Sequence, residues 1–225
     1  IYGKSPYKSP TDMGVNMVGN CIIDDEICRQ ASNQEIIRRY YAALNTLAKD
    51  NSNEHEVNTI EILMKQAKIT TDDRKVTVAA KERAATSGNI CAAIELADGT
   101  IITSETSSLL GTSAALILNA LKYLAGIDHS VKLIPANMIT PIQNMKVTYL
   151  RGNNPRLHTD EVLVALAMLS LNDENCKKAI QQLPKLEGCQ VHTTVMLSEV
   201  DQKIFKKLGV DLTCEPIIKK KNCFH

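Results

Sequence analysis

A tight turn signal near the middle of the chain constrains the fold most. Asp98-Gly99 separates two short runs, Ile90 to Leu96 and Thr100 to Ser104, and such a pair between strand-like runs predicts a β-hairpin. A helical segment precedes the hairpin and ends at Gly88, since glycine is the usual residue just past a helix end. The sequence therefore predicts a helix followed by two antiparallel strands.

The segments around this hairpin predict two domains. Residues 1–71 give an irregular loop and a small helical unit, whose first helix starts near Asp24 or Asp25 and whose second carries Val57, Ile60 and Met64 on one face. Residues 72–225 give an α/β domain with a mixed sheet covered by helices. Asp72 or Asp73 is expected to cap its first helix. After the hairpin we expect a helix over 107–125, a strand over 131–134, helices over 139–150, from 160 and over 174–183, a strand over 189–197, a helix over 199–208 and a strand over 210–214. This order is similar to the cytidine-deaminase-like three-layer sandwich.

Composition excludes several classes of protein. The net charge is +1 over 225 residues with both signs interspersed, whereas nucleic-acid binding needs a basic stripe. No apolar run is long enough for a membrane span. The seven cysteines are odd in number and widely spaced, which favours reduced thiols in the cytoplasm over disulfides. The chain starts at Ile1 with a loop-like segment, and we expect a fragment of a longer polypeptide.

A polar loop that leads into an apolar helix is a candidate ligand site. Gly152 to Glu161 precedes eight apolar residues, Val162 to Leu169, so we expect a buried helix with a rigidly held loop before it. Arg156 could grip a carboxylate or phosphate with its guanidinium, beside His158 and Asp160. The alternative is a capped helix with Arg156 and Asp160 paired across the loop.

Cys189 and His192 form a second candidate on the most strand-like segment. Three residues apart on a strand, they point to opposite faces, so each would need partners elsewhere, such as His158. The alternative is a buried structural cysteine beside a hydrogen-bonded histidine. A deaminase zinc site needs a His-x-Glu box and a Cys-x-x-Cys box. Thr194 stands where the glutamate would be and the chain has no Cys-x-x-Cys, so no metal is predicted.

A third candidate lies in the polar loop that opens the chain. Dense polar residues on irregular backbone can line a pocket or clasp another subunit, and the alternative is an ordinary linker. The candidates are Lys8, Ser9, Thr11, Asp12 and Asn16.

Several blocks resemble a known family. They are Tyr7 to Asn16, Asn154 to Leu163, Gly188 to Thr194, Phe205 to Gly209 and Leu212 to Pro216. Together they resemble the later, C-terminal half of bacterial proteins of uncharacterised protein family 0371. The resemblance implies a cytoplasmic protein about twice this length, whose earlier half carries a glycine-rich segment like a phosphate-binding loop. It supplies no catalytic residues and no cofactor.

Two functions are consistent with these patterns. The first is a ligand-binding protein or enzyme acting on a small anionic or phosphorylated molecule, with a pocket between the helical unit and the sheet. The second is a non-catalytic assembly module that forms a homo-oligomer, with the active site in the missing N-terminal half. The first predicts that the three candidate segments converge in space.

Overall fold

Two long helices form the first part of the molecule. The computed structural model describes residues 24–50 and 54–217, and in it α1 spans Asp25–Asp50 and α2 spans Glu54–Ala67. α1 begins where predicted, and Asp24 caps it, because its Oδ1 accepts hydrogen bonds from the backbone N–H of Glu26 and Ile27 at 2.9 and 3.0 Å. The helices share a small apolar core built from Ile37, Tyr41, Ala43, Val57, Ile60 and Met64.

A four-stranded mixed sheet organises the rest of the described chain. Its strands are β1 (Cys91–Glu95), β2 (Ile101–Glu105), β3 (Gln190–Thr193) and β4 (Asp211–Cys214). The order is β2-β1-β3-β4, with β1 antiparallel to both neighbours and β3 parallel to β4. The predicted hairpin is confirmed, as is the α/β class with a mixed sheet.

Six further helices surround this sheet. Short turns connect some of them: 3-10 turns at Thr71–Asp73 and Leu183–Leu186 and a π-helical turn at Met145–Tyr149. The helices are α3 (Lys75–Ser87), α4 (Thr112–Leu124), α5 (Ala136–Asn144), α6 (Thr159–Leu169), α7 (Glu174–Ile180) and α8 (Glu199–Lys207).

The two faces of the sheet contact different helices. Successive strand residues point to opposite sides, so Ala93 packs on Val76 and Ala80 of α3. Its neighbour Ala92 belongs to the main apolar core together with Val191. That core also takes in buried side chains of α4, α6, α7 and α8. Apolar burial is therefore concentrated on the face opposite α3.

Two local predictions are wrong. Val131 to Ile134 forms no strand. Leu133 and Ile134 are instead buried in the main core. The Leu133 carbonyl accepts a hydrogen bond from Cys176 Sγ at 3.2 Å. The apolar residues of a buried loop thus gave the same sequence pattern as a strand. The predicted aspartate cap of α3 is also absent, because the cap residue of that helix is Arg74, with no side-chain hydrogen bond to the helix.

The helix α6 is only half buried, contrary to the expectation from its apolar sequence. Val162 and Leu166 are fully buried. Val164 and Met168 are 61% and 68% exposed. The continuous apolar run therefore serves one core face and leaves a second apolar face in solvent.

Candidate functional site

A buried arginine joins α3 to the sheet. Arg74 is 1% exposed, and its guanidinium donates to Thr213 Oγ1 at 3.0 Å, to the Val191 carbonyl at 3.1 Å and to the Asp211 carbonyl at 2.7 Å. It also donates to Gln190 Oε1. Burial lowers its pKa to about 10, so it stays charged at neutral pH. Satisfied hydrogen bonds are what make such a buried charge tolerable.

His192 lies next to this arginine in the middle of β3. It is fully buried, and its ring centre lies 4.9 Å from that of Tyr41. Nδ1 lies 2.9 Å from Thr213 Oγ1. Nε2 lies 3.3 Å from Glu215 Oε1, although it is poorly aligned for a hydrogen bond. Burial lowers the pKa of His192. The imidazole is therefore neutral at pH 7.

Glu215 connects this histidine to two helices. Its Oε1 accepts from Tyr41 OH of α1 at 3.1 Å and lies 2.9 Å from Lys81 Nζ of α3. Burial opposes ionisation of Glu215, but His192 and Lys81 outweigh it and lower the pKa to about 2. The carboxylate is thus charged and well partnered. This cluster holds α1 and α3 against the sheet.

A small cavity lies beside the cluster, between α1 and the carboxyl ends of β3 and β4. Its volume is about 240 Å³. Two cationic side chains, Arg38 and Lys49, line it, and no carboxylate from residues 24–50 or 54–217 does. The other lining residues are Tyr41, Ala42, Asn45, Thr46, Met196, Gln202, Leu212, Thr213 and Cys214.

The polar groups of this cavity are unequally engaged. Arg38 already contacts Glu35 Oε2 at 2.7 Å and Asp211 Oδ2 at 2.9 Å. Asn45 Nδ2 donates to the Cys214 carbonyl at 3.1 Å. Asn45 Oδ1 is buried without a hydrogen-bond partner, which is uncommon for a buried polar atom. Asn45, which lines the cavity, therefore carries one buried acceptor atom with no hydrogen-bond partner among the described residues.

Two larger clefts have acidic side chains in their walls. One, of about 790 Å³, lies between α1 and the opposite end of the sheet and includes Asp73, Glu95 and Asp211. The other, of about 750 Å³, runs along the edge strand β2 and includes Glu105. Three carboxylates against Arg38 and Lys75 disfavour an anionic occupant in the first cleft. In the second cleft Glu105 is accompanied by Arg83 and Lys122.

His158, one of the predicted residues, connects α6 to α8 on the other side of the sheet. Its Nδ1 lies 3.1 Å from Asp201 Oδ2. The backbone N–H and Oγ1 of Thr159 donate to Asp201 Oδ1 at 3.0 and 2.7 Å. The hydrogen bond to Asp201 raises the pKa of His158. Burial opposes ionisation of Asp201, but His158 and Thr159 lower its pKa well below the usual range.

The remaining residues of that loop are held by the protein itself. Arg156 Nε donates to the Ser107 carbonyl at 2.6 Å. Lys146 Nζ binds the Arg156 carbonyl and Glu161 Oε2, both at 2.7 Å. Asp160 Oδ1 is buried without a hydrogen-bond partner. Hydrogen bonds from other parts of the chain thus hold this loop, and Arg156 is engaged by one of them.

Cys189 is a buried thiol just before β3. Its Sγ lies 3.5 Å from the Lys185 carbonyl, and burial raises its pKa, so it is not activated as a nucleophile. Five cysteines in the described ranges are free thiols. The candidates in the opening loop (Lys8, Ser9, Thr11, Asp12 and Asn16) lie outside the described residues.

The structure separates the candidates it describes into two groups. His192 of β3 is paired with Ala93 of β1, and both point to the face of the sheet on which Ala93 packs against α3. Leu157, between Arg156 and His158, lies in the core on the other face with Val191. The sheet therefore stands between the loop before α6 and His192, and these segments do not form one pocket.

The residues around the small cavity were not predicted. Neither Lys49 of the cavity wall nor Arg74 of the neighbouring buried cluster belongs to a motif that indicates a site. Their partners lie far away in sequence: Arg74 binds Thr213, 139 residues later. The one local signal was the pair Tyr40-Tyr41 on an amphipathic helix. Large polar-tipped side chains on a helix face often meet a buried partner.

The described residues contain neither a cluster suited to a metal ion nor a helix suited to a membrane. Within residues 24–50 and 54–217, no group of three or more His, Cys, Asp or Glu side chains is placed to hold a metal ion. Across the same ranges, no helix combines the length and the hydropathy needed to cross a bilayer.

Fold and sequence relationships identify the class of protein. The fold defines an α/β protein in which a helical pair packs on a small mixed sheet through buried polar contacts. The domain of unknown function DUF1846, C-terminal, matches residues 72–224, and its N-terminal counterpart matches residues 1–68. The chain therefore belongs to the DUF1846 family.

Curated relatives carry the name UPF0371 protein. The chain is 52% identical to one from Corynebacterium urealyticum over 216 residues, which is 96% of this chain and 44% of the relative. It is 46% identical to one from Streptococcus pyogenes over 217 residues, again 96% and 44%. The chain thus spans less than half the length of these relatives. Because both family domains match, the expected restriction to a C-terminal half is not shown.

Proposed function

We propose that this protein binds a small anionic molecule in the cavity between α1 and β4. The main support is the composition of the cavity wall, to which the described part of the chain contributes Arg38 and Lys49 but no carboxylate. Glu35 and Asp211 already neutralise much of Arg38, so Lys49 is the main anchor for the anion. At about 240 Å³ the cavity is smaller than the roughly 300–1,000 Å³ pockets of drug-sized ligands. The ligand is correspondingly small.

The unfilled acceptor narrows the chemistry of the ligand. Asn45 Oδ1 calls for an O–H or N–H donor. A hydroxylated carboxylate or a phosphorylated alcohol carries both the donor and the anionic group. In parallel sheets, ligands commonly bind beyond the carboxyl ends of the strands, which is where Cys214 and Met196 line this cavity.

Three further expectations from the sequence are part of this proposal. The strand and helix order fits a cytidine-deaminase-like three-layer arrangement, and a division near residue 71 fits the two family matches. The free thiols fit a reducing cytoplasm. None of these assigns a reaction, so binding alone is proposed.

The test is a calorimetric titration of the protein with inorganic phosphate, glycerol phosphate and glycolate. We expect saturable binding of at least one of them. Lys49→Gln should weaken it about tenfold, because the main charge is lost, and Asn45→Leu should weaken only ligands with a hydroxyl donor. Lys65→Gln on α2 is the matched control, an exposed lysine outside the cavity wall.

Either of two results contradicts the proposal. One is that none of these compounds binds. The other is that Lys49→Gln and Lys65→Gln weaken binding equally, which would indicate general attraction to surface charge.

A further inference from the structure

The outer edge of β2 has no strand partner among the described residues. β2 is an end strand of the sheet and pairs with β1 alone. Leu96 N–H donates to the Thr100 carbonyl at 2.9 Å, so the backbone of Thr100 faces β1. In an antiparallel pair, successive residues direct their N–H and C=O groups to opposite sides of the strand. The outer edge of β2 therefore carries the backbone groups of Ile101, Thr103 and Glu105.

Little of this edge is protected. Asn119 Nδ2 of α4 donates to the Thr103 carbonyl at 3.2 Å. No described residue hydrogen-bonds to the Thr103 N–H or to the outward N–H and C=O groups of Ile101 and Glu105. Proteins often blunt an edge strand with proline, lysine or a bulge. β2 contains none of these, and its one charge is at its last residue. The edge is therefore open to another extended chain.

Two helices make this edge the floor of a groove, which we call the β2 groove. It is the cleft of about 750 Å³, with Arg83 of α3 in one wall and Ala115, Asn119 and Tyr123 of α4 in another. The three α4 residues recur every four positions, so they lie along one side of the helix. Residues 100–105 line the floor, a length that matches an added strand of about five or six residues.

One end of the β2 groove carries positive charge. At the end next to the turn between β1 and β2, which we call the hairpin end, Tyr123 OH lies 3.0 Å from Thr100 Oγ1. Lys122 and His129 line the groove there. Lys122 Nζ donates to the His129 carbonyl at 2.8 Å, which keeps its ammonium in the wall. A carboxylate is the complementary group for this end.

The carboxylates around the groove leave this polarity in place. Asp98 and Asp128, near the hairpin end, each accept a hydrogen bond from the backbone N–H two residues later, and neither lines the groove. At the opposite end, Glu105 Oε2 lies 3.2 Å from Arg83 Nη2 but is buried without a hydrogen-bond partner. This end therefore favours an N–H or O–H donor.

We propose that the β2 groove binds an extended peptide that joins the sheet as a strand antiparallel to β2. β2 starts at the hairpin end, so an antiparallel peptide brings its carboxyl end to Lys122 and His129 and its earlier N–H groups to Glu105. A parallel peptide would bring its carboxyl end to Glu105, and like charges disfavour that. In such complexes main-chain hydrogen bonds supply affinity and alternate side chains supply specificity.

The shape of the groove favours a peptide over a second copy of the chain. A single strand fits between α3 and α4, whereas the β2 edge of another copy brings its own pair of flanking helices. β2 and β4 are the two end strands of the sheet. The groove thus lies apart from the proposed ligand cavity beside β4, and the proposal does not depend on ligand binding there.

Fluorescence anisotropy with labelled peptides tests the proposal. The parent probes are hexapeptides in which threonine alternates with valine, leucine or serine, each ending in aspartate with a free carboxyl group. We expect saturable binding of at least one. N-methylation of one alternate set of residues removes the N–H groups that pair with β2 and should weaken binding about tenfold or more, while N-methylation of the other set should change it less than about threefold. No binding of any parent probe, or equal binding of the two methylated forms, overturns the proposal.

The direction of the peptide is tested by moving its charge. A probe that begins with aspartate and ends in an amide should bind about threefold more weakly than its parent. Lys122→Gln should remove most of this preference, and Lys65→Gln on α2, outside the groove, should keep it. A preference that is the same in both variants would contradict the antiparallel arrangement.

Nuclear magnetic resonance and sedimentation identify the occupied surface. The parent probe should shift the backbone amide signals of Ile101, Thr103 and Glu105 more than those of β4. Shifts confined to other parts of the chain would overturn the proposal. So would a chain that dimerises in sedimentation velocity and no longer binds the probe as a dimer, because a second copy would then occupy the groove.

Discussion

The two faces of the sheet are stabilised by different physical means. On the α3 face, Arg74, His192 and Thr213 are buried and joined by hydrogen bonds, with Glu215 at their margin. On the opposite face, the core is aliphatic apart from Phe205 and cysteines. Apolar burial depends on area and tolerates many residue combinations. Buried polar groups depend on specific partners.

This difference indicates separate roles for the faces. The apolar face supplies most of the free energy that keeps the sheet folded. The polar face aligns α1 and α3 on β3 and β4, and α1 forms one wall of the small cavity. A rigid wall is what a binding site requires, so the polar face also sets the geometry of the proposed site.

The largest expected effect comes from removing Arg74. Arg74→Ala leaves Thr213 and the Val191 and Asp211 carbonyls without a donor, and we expect a loss of about 3–5 kcal/mol in the free energy of unfolding. Urea denaturation measures it. Arg39→Ala is the control, since the native Arg39 is 72% exposed on α1 and its loss should change stability by about 1 kcal/mol or less. A similar small loss for both variants would show that the polar face is dispensable.

A large-to-small substitution on the apolar face should be somewhat milder. Leu116 is fully buried, and Leu116→Ala should destabilise the protein by about 2–4 kcal/mol through lost burial and a cavity. Ile62→Ala, at an exposed site of α2, should change stability by less than about 1 kcal/mol. The sharper contrast is in ligand binding, because Leu116→Ala should leave binding intact in the folded protein while Arg74→Ala weakens it. The reverse result would contradict the division of roles.

The smallest expected effect is an opposite pH dependence of the two histidines. The pKa of His192 is lowered by burial, so unfolding takes up a proton and stability is lost as pH falls below about 6.5. The pKa of His158 is raised by Asp201, so its contribution is present below about pH 6.5 and lost as pH rises through the folded value.

Two variants separate these contributions. His192→Gln should reduce the loss of stability in acid, and His158→Gln should reduce the gain there, each by about 1 kcal/mol or less between about pH 5 and pH 8. The comparison uses the slope of unfolding free energy against pH, which a general loss of stability leaves unchanged. Slopes that move in the same direction for both variants would refute the opposite assignments.

Local signals account for the parts of the fold that could be predicted. Asp24 at the start of α1, Gly88 after α3 and Asp98-Gly99 between β1 and β2 each act through their own backbone neighbourhood. The strand predicted over Val131 to Ile134 was wrong because a short apolar run is compatible with a strand and with a buried loop. The prediction that α6 is buried was wrong because composition shows only that a helix is apolar on every side. It does not show how much of the helix surface the rest of the chain covers.

The candidate site depended on contacts that no local pattern contains. Lys146 and Asp201, which hold the loop before α6, come from elements before and after it in the sequence. The wall of the small cavity includes Asn45 and Thr213, which lie far apart in the sequence. Only the packing of α1 on β4 brings these residues together.

The grip of Arg74 on two backbone carbonyls also bears on how the molecule opens. Because one guanidinium holds Val191 of β3 and Asp211 of β4, the start of α3 cannot detach without loosening the parallel pair. Amide protons of β3 and β4 should consequently exchange with solvent together with those at the start of α3, as one cooperative unit.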